Sequence, residues 1–215
     1  MNEKDRVLDP IARISEILFG LIMALTFTGT LSAATAGRED VRTLLVGVIG
    51  CNIAWGLVDA VMFLMSSLTT RGHELLAIRA VRNAANPQDA HRVIADAIPP
   101  VLASVLKRDD LERMRQSLLQ MNDLPPSPSF TRNDWLGALA VFLLVFLSTF
   151  PVVIPFLVFR NVHLALRTSN LVALVMMFLA GSVLARHGGH SPLRAGLSVL
   201  MLGVALVVIT IALGG

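Results

Sequence analysis

The chain of 215 residues is 54% hydrophobic and only 15% charged, with a mean hydropathy of +0.70, a balance that excludes an ordinary soluble domain and indicates a membrane protein. Its single cysteine, Cys51, excludes a disulfide framework and any CxxC metal or redox pair. The net charge of +3 comes from arginines spread over loops and helix ends, without the basic stripe and interleaved aromatics of a nucleic-acid binder, so anionic lipid head groups are the expected partner.

Five apolar stretches of roughly 15 to 25 residues come to about the length a helix needs to cross ~30 Å of hydrocarbon: residues 17–34, 43–66, 135–159, 171–185 and 195–213. The expected fold is all-α, a polytopic membrane protein with five transmembrane helices and a cytoplasmic helical insert between the second and third. Three segments follow: residues 1–68 with the first two spans, the insert 69–131, and residues 132–215 with the last three spans. The first run is preceded by Lys4, Arg6 and Arg13 and ends in the small-x-small pattern Ala34-Thr35-Ala36. It is longer than a signal-peptide core and its leading segment is nearly neutral, so it is expected to remain as a span.

Basic residues near spans stay on the cytoplasmic side. With the N-terminus inside, 14 of the 18 basic residues fall inside, nine of them from Arg71 to Arg132, and only Arg38, Arg42, Arg160 and Arg167 fall outside. This predicts N-in and C-out with the insert cytoplasmic. Without a transit-like segment, a bacterial inner membrane is the expected location.

The insert reads as short helices. The first continues from the second span through Thr70 to Asn83. After a break at Ala84-Ala85-Asn86-Pro87, Asn86 is placed as an N-cap with Pro87 in the first turn and His91, Val93, Ile94 and Ile98 on the helix. Pro99-Pro100 ends it, and a third helix begins near Arg108 with Leu111, Met114, Leu118 and Met121 on one stripe that requires a partner. In the third span, Pro151 and Pro155 free backbone carbonyls, which either line a path or are re-satisfied by Ser148 and Thr149.

Asp59 is the most informative residue. An ionisable group in the middle of a membrane helix costs ~2.5–3.5 kcal/mol on insertion scales and must face a cavity or a partner. Asn52, Gly56, Asp59 and Phe63 share one face, flanked by Trp55 and Met62. The bland alternative is that Asn52 and Asp59 hydrogen-bond across a helix interface. On the first span Glu16, Met23 and Thr30 recur at seven-residue spacing beside Gly20 and Phe27. Glu16 is either a ligand or an interfacial carboxylate paired with Arg13, and Met23 reads first as buried filler. The candidate metal-contacting set is Asp59, Asn52, Glu16, Met23 and Met62, with no catalytic and no cofactor-binding residue. His187, His190, His73, Glu74, Asp89 and His91 lack zinc spacing, and no nucleophile motif, P-loop or GxGxxG is present, so no enzyme and no cofactor are expected.

This layout resembles the vacuolar iron transporter family over nearly the whole chain. Residues 17–21 are similar to the family's FGLNDGL segment, residues 52–56 to NLIAG, residues 148–156 to its proline-containing third span, residues 86–90 to the DPExA turn of its insert, and residues 191–197 to the start of its last span. The resemblance implies a homodimer whose ion path lies between the first two spans, moving Fe2+ or Mn2+ out of the cytoplasm in exchange for protons. Met23 stands where the family has an intramembrane Asp. Residues 59–64 lack the Glu of its SMAxGE segment, and the insert carries arginines and scattered acids where the family repeats Glu ligands.

Two readings follow. In the first, Asp59 with Asn52, Glu16, Met23 and Met62 forms a dimer-interface path for a divalent transition-metal cation, Asp59 being doubled by symmetry; the methionines favour a softer ion such as Fe2+. In the alternative, the fold persists as a non-transporting membrane scaffold whose basic insert binds anionic lipid or a partner helix. A scaffold tolerates Asp59→Asn and a cation path does not.

Overall fold

A computed structural model describes residues 10–29, 38–121 and 123–212, without the side chains of residues 10, 27, 29, 38–40, 210 and 211. The elements in chain order are α1 (Pro10–Gly29), α2 (Arg38–Arg82), α3 (Pro87–Asp96), α4 (Pro100–Ala103), α5 (Arg108–Gln120), α6 (Arg132–Ser148), α7 (Phe150–Val158), α8 (Val162–His187) and α9 (Pro192–Ala212). No strand occurs among the described residues. The end of the expected first span, Thr30 and the small-x-small pattern at 34–36 lie outside them, as do Lys4 and Arg6.

Two units divide the chain. One draws on Met1–Phe63 and Arg132–Gly215, the other on Leu64–Thr131. Among the described residues, four helices are long and apolar enough to cross a membrane: Val41–Arg82, Arg132–Val158, Val162–His187 and Pro192–Ile209. α1 is not one of the four, yet it is the hub of the first unit and packs against α6, α7, α8 and α9. Its Leu21, Ala24 and Leu25 are fully buried with Val48, Val152, Ala173 and Met177. This apolar side lies about 140° around the helix from Glu16, at 100° per residue.

The expected third span is one span, Arg132–Val158, interrupted at a single residue. Pro151 cannot donate to the Leu147 carbonyl, nor Pro155 to that of Pro151, so the helical hydrogen-bond ladder is interrupted at Thr149, between α6 and α7, while the Thr149 backbone stays helical. The Ser148 and Thr149 hydroxyls donate to the carbonyls of Val145 and Phe146, each at 2.7 Å, before the break rather than to that of Leu147. The buried Ser169 hydroxyl of α8 donates to the Val152 carbonyl at 2.6 Å.

α8 begins well before the expected residue 171, because Asn161 caps it by accepting from the Leu164 amide at 3.2 Å. It turns into α9 through Gly189, whose φ of +70° is costly for any side chain. α8 and α9 approach closely through small residues: a Cβ on Gly181 would lie 2.7 Å from Val199, and one on Gly203 would lie 2.8 Å from Leu174.

In the second unit the C-terminal part of α2 joins α3, α4 and α5. Asn86 caps α3, its Oδ1 accepting from the Asp89 amide at 2.9 Å with Pro87 in the first turn. Val81, Ala90 and Ile94 form a core against Leu111 and Leu118, which gives the α5 stripe its partner, while Met114 and Met121 stay exposed. α5 is also tied to α3 by His91, whose Nε2 lies 2.9 Å from Glu112 Oε2, and Arg115 donates twice to the same carboxylate at 2.9 and 2.7 Å. These bonds, Arg115's first, hold the Glu112 carboxyl down to about 2. The α2 arginines bind the chain that follows α5: Arg82 donates to the carbonyls of Leu118, Leu119 and Met121, Arg79 to those of Pro125 and Pro126, and Arg71 to that of Ser129.

Candidate cation site

α1 and α2 owe their approach to small residues and ring contacts. A Cβ on Gly20 would lie 2.6 Å from the Val145 carbonyl oxygen and against Ser148 Oγ, so α1 and α6 touch backbone to backbone. Gly56 of α2 sits 3.0 Å, by the same measure, from the Phe142 ring of α6, and Gly137 of α6 lies under the Phe63 ring. Phe19 of α1 meets Trp55 of α2 edge to face at 5.7 Å. Both helices are thereby held against α6 with the Glu16 and Asp59 faces beside each other.

Glu16 of α1 and Asp59 of α2 lie close enough for their charges to interact. The first unit thus carries two carboxylates from different helices within each other's field. Asp59 Oδ2 is buried and has no hydrogen-bond partner. Asn52 is fully buried one heptad earlier on the same face, about 10 Å along the helix at 1.5 Å per residue. Its amide nitrogen donates to the Val48 carbonyl at 3.0 Å, which fixes the flip and leaves Oδ1 facing no donor.

Among the described residues only three buried side-chain polar atoms lack a partner, and two of them, both oxygens, belong to this one stripe of α2. An unpaired buried acceptor costs about 1–3 kcal/mol. Two on one face leave acceptors that a cation or a proton donor would satisfy.

The other expected residues are placed differently. Met23 is half-buried on the Glu16 face of α1, two turns along. Met62 is 58% exposed on the flank of α2, away from the buried stripe. No group of three or more His, Cys, Asp or Glu side chains able to hold a metal occurs among the described residues. Glu16 and Asp59 are two carboxylates, fewer than such a group needs.

Sequence reasoning missed a second polar contact. Thr28 of α1 is fully buried, donates to the Leu25 carbonyl at 3.1 Å, and has Asn170 Oδ1 of α8 at the same distance. Its signal was a polar residue in an apolar run. Thr28 is about 120° around α1 from Glu16, so this contact joins α1 to α8 and lies off the carboxylate face.

The VIT family model matches residues 77–215, well over half of the chain. The chain belongs to the VIT family, the vacuolar iron transporters. Membership points to metal-ion transport across a membrane rather than to catalysis. The matched stretch starts after Glu16, Asn52 and Asp59, so their assignment rests on the geometry above. No curated protein matches the chain.

Proposed function

We propose that this VIT-family protein is a transporter that moves divalent transition-metal cations, Fe2+ or Mn2+, out of the cytoplasm through a path beside α1 and α2. The observation that carries this reading is the pair of unpartnered buried oxygens, Asp59 Oδ2 and Asn52 Oδ1, on the stripe of α2 next to Glu16. Oxygen donors suit both ions, with the carboxylates supplying the charge that a partly dehydrated cation needs.

Five transmembrane helices complete the reading. α1 packs against α6, α7, α8 and α9 and buries its apolar side among them, which supports α1 as the fifth crossing; the distribution of basic residues supports an N-terminus inside. Glu16, early in α1, receives the cation from the cytoplasmic end and shares it with Asp59; Asn52, about two turns further on, takes it onward with its free carbonyl oxygen. When no cation is present, a proton on one carboxylate relieves the repulsion between the two, and exchange of that proton for the cation couples the flows.

The same pair lies beside the exposed rim of Phe19, Trp55 and Met62, which are 39%, 40% and 58% accessible. A second copy packed there by two-fold symmetry closes the path and brings a second Glu16 and Asp59 to it. In the alternative reading the fold persists as a scaffold whose basic insert binds anionic lipid or a partner helix; of that insert's arginines, Arg71, Arg79 and Arg82 also donate to backbone carbonyls of residues 118–129, and Arg115 is paired with Glu112.

The test is uptake of Fe2+ and Mn2+ into sealed proteoliposomes holding a trapped metal-sensitive dye, with a proton gradient imposed in each direction. The wild-type chain is expected to carry at least one of the ions and Asp59→Asn, verified as folded, to lose it. Absence of wild-type flux for both ions removes the transport reading, and unchanged flux in Asp59→Asn removes the path assigned here.

A further inference from the structure

The end of the first unit that carries the start of α2 holds a cavity of about 440 Å³ between α2 and the α7–α8 junction. Its lining has two parts. Arg42 and Arg160 form the polar part, and no carboxylate joins them among the described residues; Leu45 and Ile49 contribute to an aliphatic and aromatic wall.

The two parts are ordered along the helices. Arg42 is in the second turn of α2 and Arg160 lies two residues past the end of α7, immediately before the Asn161 cap of α8, so both guanidinium groups sit where the spans end. Leu45 and Ile49 follow Arg42 by about one and two turns into the span. The first turn of α8 also reaches the lining through Val162, adding the positive end of that helix to the two arginines. Val46 and Leu157, 66% and 73% exposed, border the cavity, which therefore opens sideways from the protein.

Charge at the end of the spans, an apolar wall running inward and a lateral opening match one kind of molecule. We propose that this cavity is a binding site for an anionic phospholipid, with its phosphate between Arg42 and Arg160 and an acyl chain along Leu45 and Ile49. A planar guanidinium presents paired donors to phosphate oxygens, and two of them reward a head group that keeps its net negative charge. A zwitterionic head group brings its own cation to the same place and loses that advantage. A free phosphate would fill the polar part and leave the wall bare.

The experiment is native mass spectrometry of the full-length protein in detergent, loaded with phosphatidylglycerol or phosphatidylcholine of identical acyl chains. The double variant Arg42→Gln/Arg160→Gln and each single variant are compared with Arg167→Gln, a substitution of an exposed α8 arginine outside the lining. Wild type and Arg167→Gln are expected to retain phosphatidylglycerol over phosphatidylcholine by about tenfold or more, a preference that falls stepwise in the single variants and vanishes in the double one. Phosphatidylglycerol is also expected to raise the unfolding temperature of wild type and not that of the double variant, and inorganic phosphate is expected not to displace it. Equal retention by wild type and the folded single variants overturns the proposal, as does an equal loss in Arg167→Gln. Displacement by inorganic phosphate overturns it in favour of a small-anion site.

Discussion

Gly20→Ala tests the contact that holds α1 against α6. The added Cβ would lie 2.6 Å from the Val145 carbonyl oxygen, whereas real Cβ contacts essentially never fall below 3.0 Å, so α1 or α6 must retreat by at least about 0.4 Å. The obstructing atom is backbone, and it already accepts the Ser148 hydroxyl at 2.7 Å, so no side-chain rotation relieves the clash. Overpacking of this kind costs about 1–3 kcal/mol. Alanine returns up to about 1 kcal/mol through its helix preference, for a net loss of about 1–2 kcal/mol. Gly50, exposed on α2 with nothing within 4 Å of its Cβ position, is the matched control; there the same change gains about 0.5–1 kcal/mol. The assay is reversible unfolding in mixed detergent micelles, followed by circular dichroism. The variants are expected to differ by about 2 kcal/mol, with Gly20→Ala also impaired in metal flux because Glu16 stands one turn away on the same helix. Equal stability of the two variants refutes close backbone packing of α1 on α6.

The Glu112 carboxyl is held at about 2 against an ordinary 4.5 by hydrogen bonds from Arg115 and His91, so it stabilises the insert only while ionised. That contribution is complete above about pH 4.5 and is lost as the pH falls toward about 2; in Glu112→Gln the loss over this window disappears, read as the rate of pepsin cleavage between α3 and α5 relative to wild type. Arg82→Ala removes the donor to the last carbonyls of α5 and is expected to cost about 1–2 kcal/mol locally, seen as faster hydrogen exchange around residues 118–121 with the membrane helices unaffected. Ser169→Ala removes a buried donor to the Val152 carbonyl beside the proline break; a loss of about 0.6 kcal/mol, and at most about 1.7, is expected in micelle unfolding.

The all-helical fold was legible wherever local chemistry decides structure. Asn86-Pro87 carries its own cap and first turn, and α3 begins there. Asp59 stood out because a carboxylate in an apolar run has few uses besides binding. The start of α8 was missed: Asn161 offers a local cap, but Arg167-Thr168-Ser169-Asn170 interrupts the apolar run, and the tertiary partners Val152 and Thr28 accommodate Ser169 and Asn170 inside the helix. The break at Thr149 was half legible, since Pro151 and Pro155 announce lost donors without fixing whether the helix kinks or ends. Within the site, helical periodicity puts Trp55 and Met62 on the same flank of α2; that Trp55 meets Phe19 while Met62 stays exposed depends on α1, which no pattern within α2 reveals. The charge interaction between Glu16 and Asp59 likewise depends on how α1 and α2 are placed. Its sequence signal was limited to two polar faces on neighbouring spans.

The central claim is that Glu16 and Asp59 act as one cation-binding unit, and a double-mutant cycle of transport tests it most directly. Initial Fe2+ and Mn2+ flux is measured in proteoliposomes for wild type, Glu16→Gln, Asp59→Asn and the double variant, each verified as folded. If the two carboxylates share one ion, either single change removes most of the transport and the second adds little, leaving the effects strongly non-additive. Full flux in Glu16→Gln, or losses that simply multiply, would contradict a shared site.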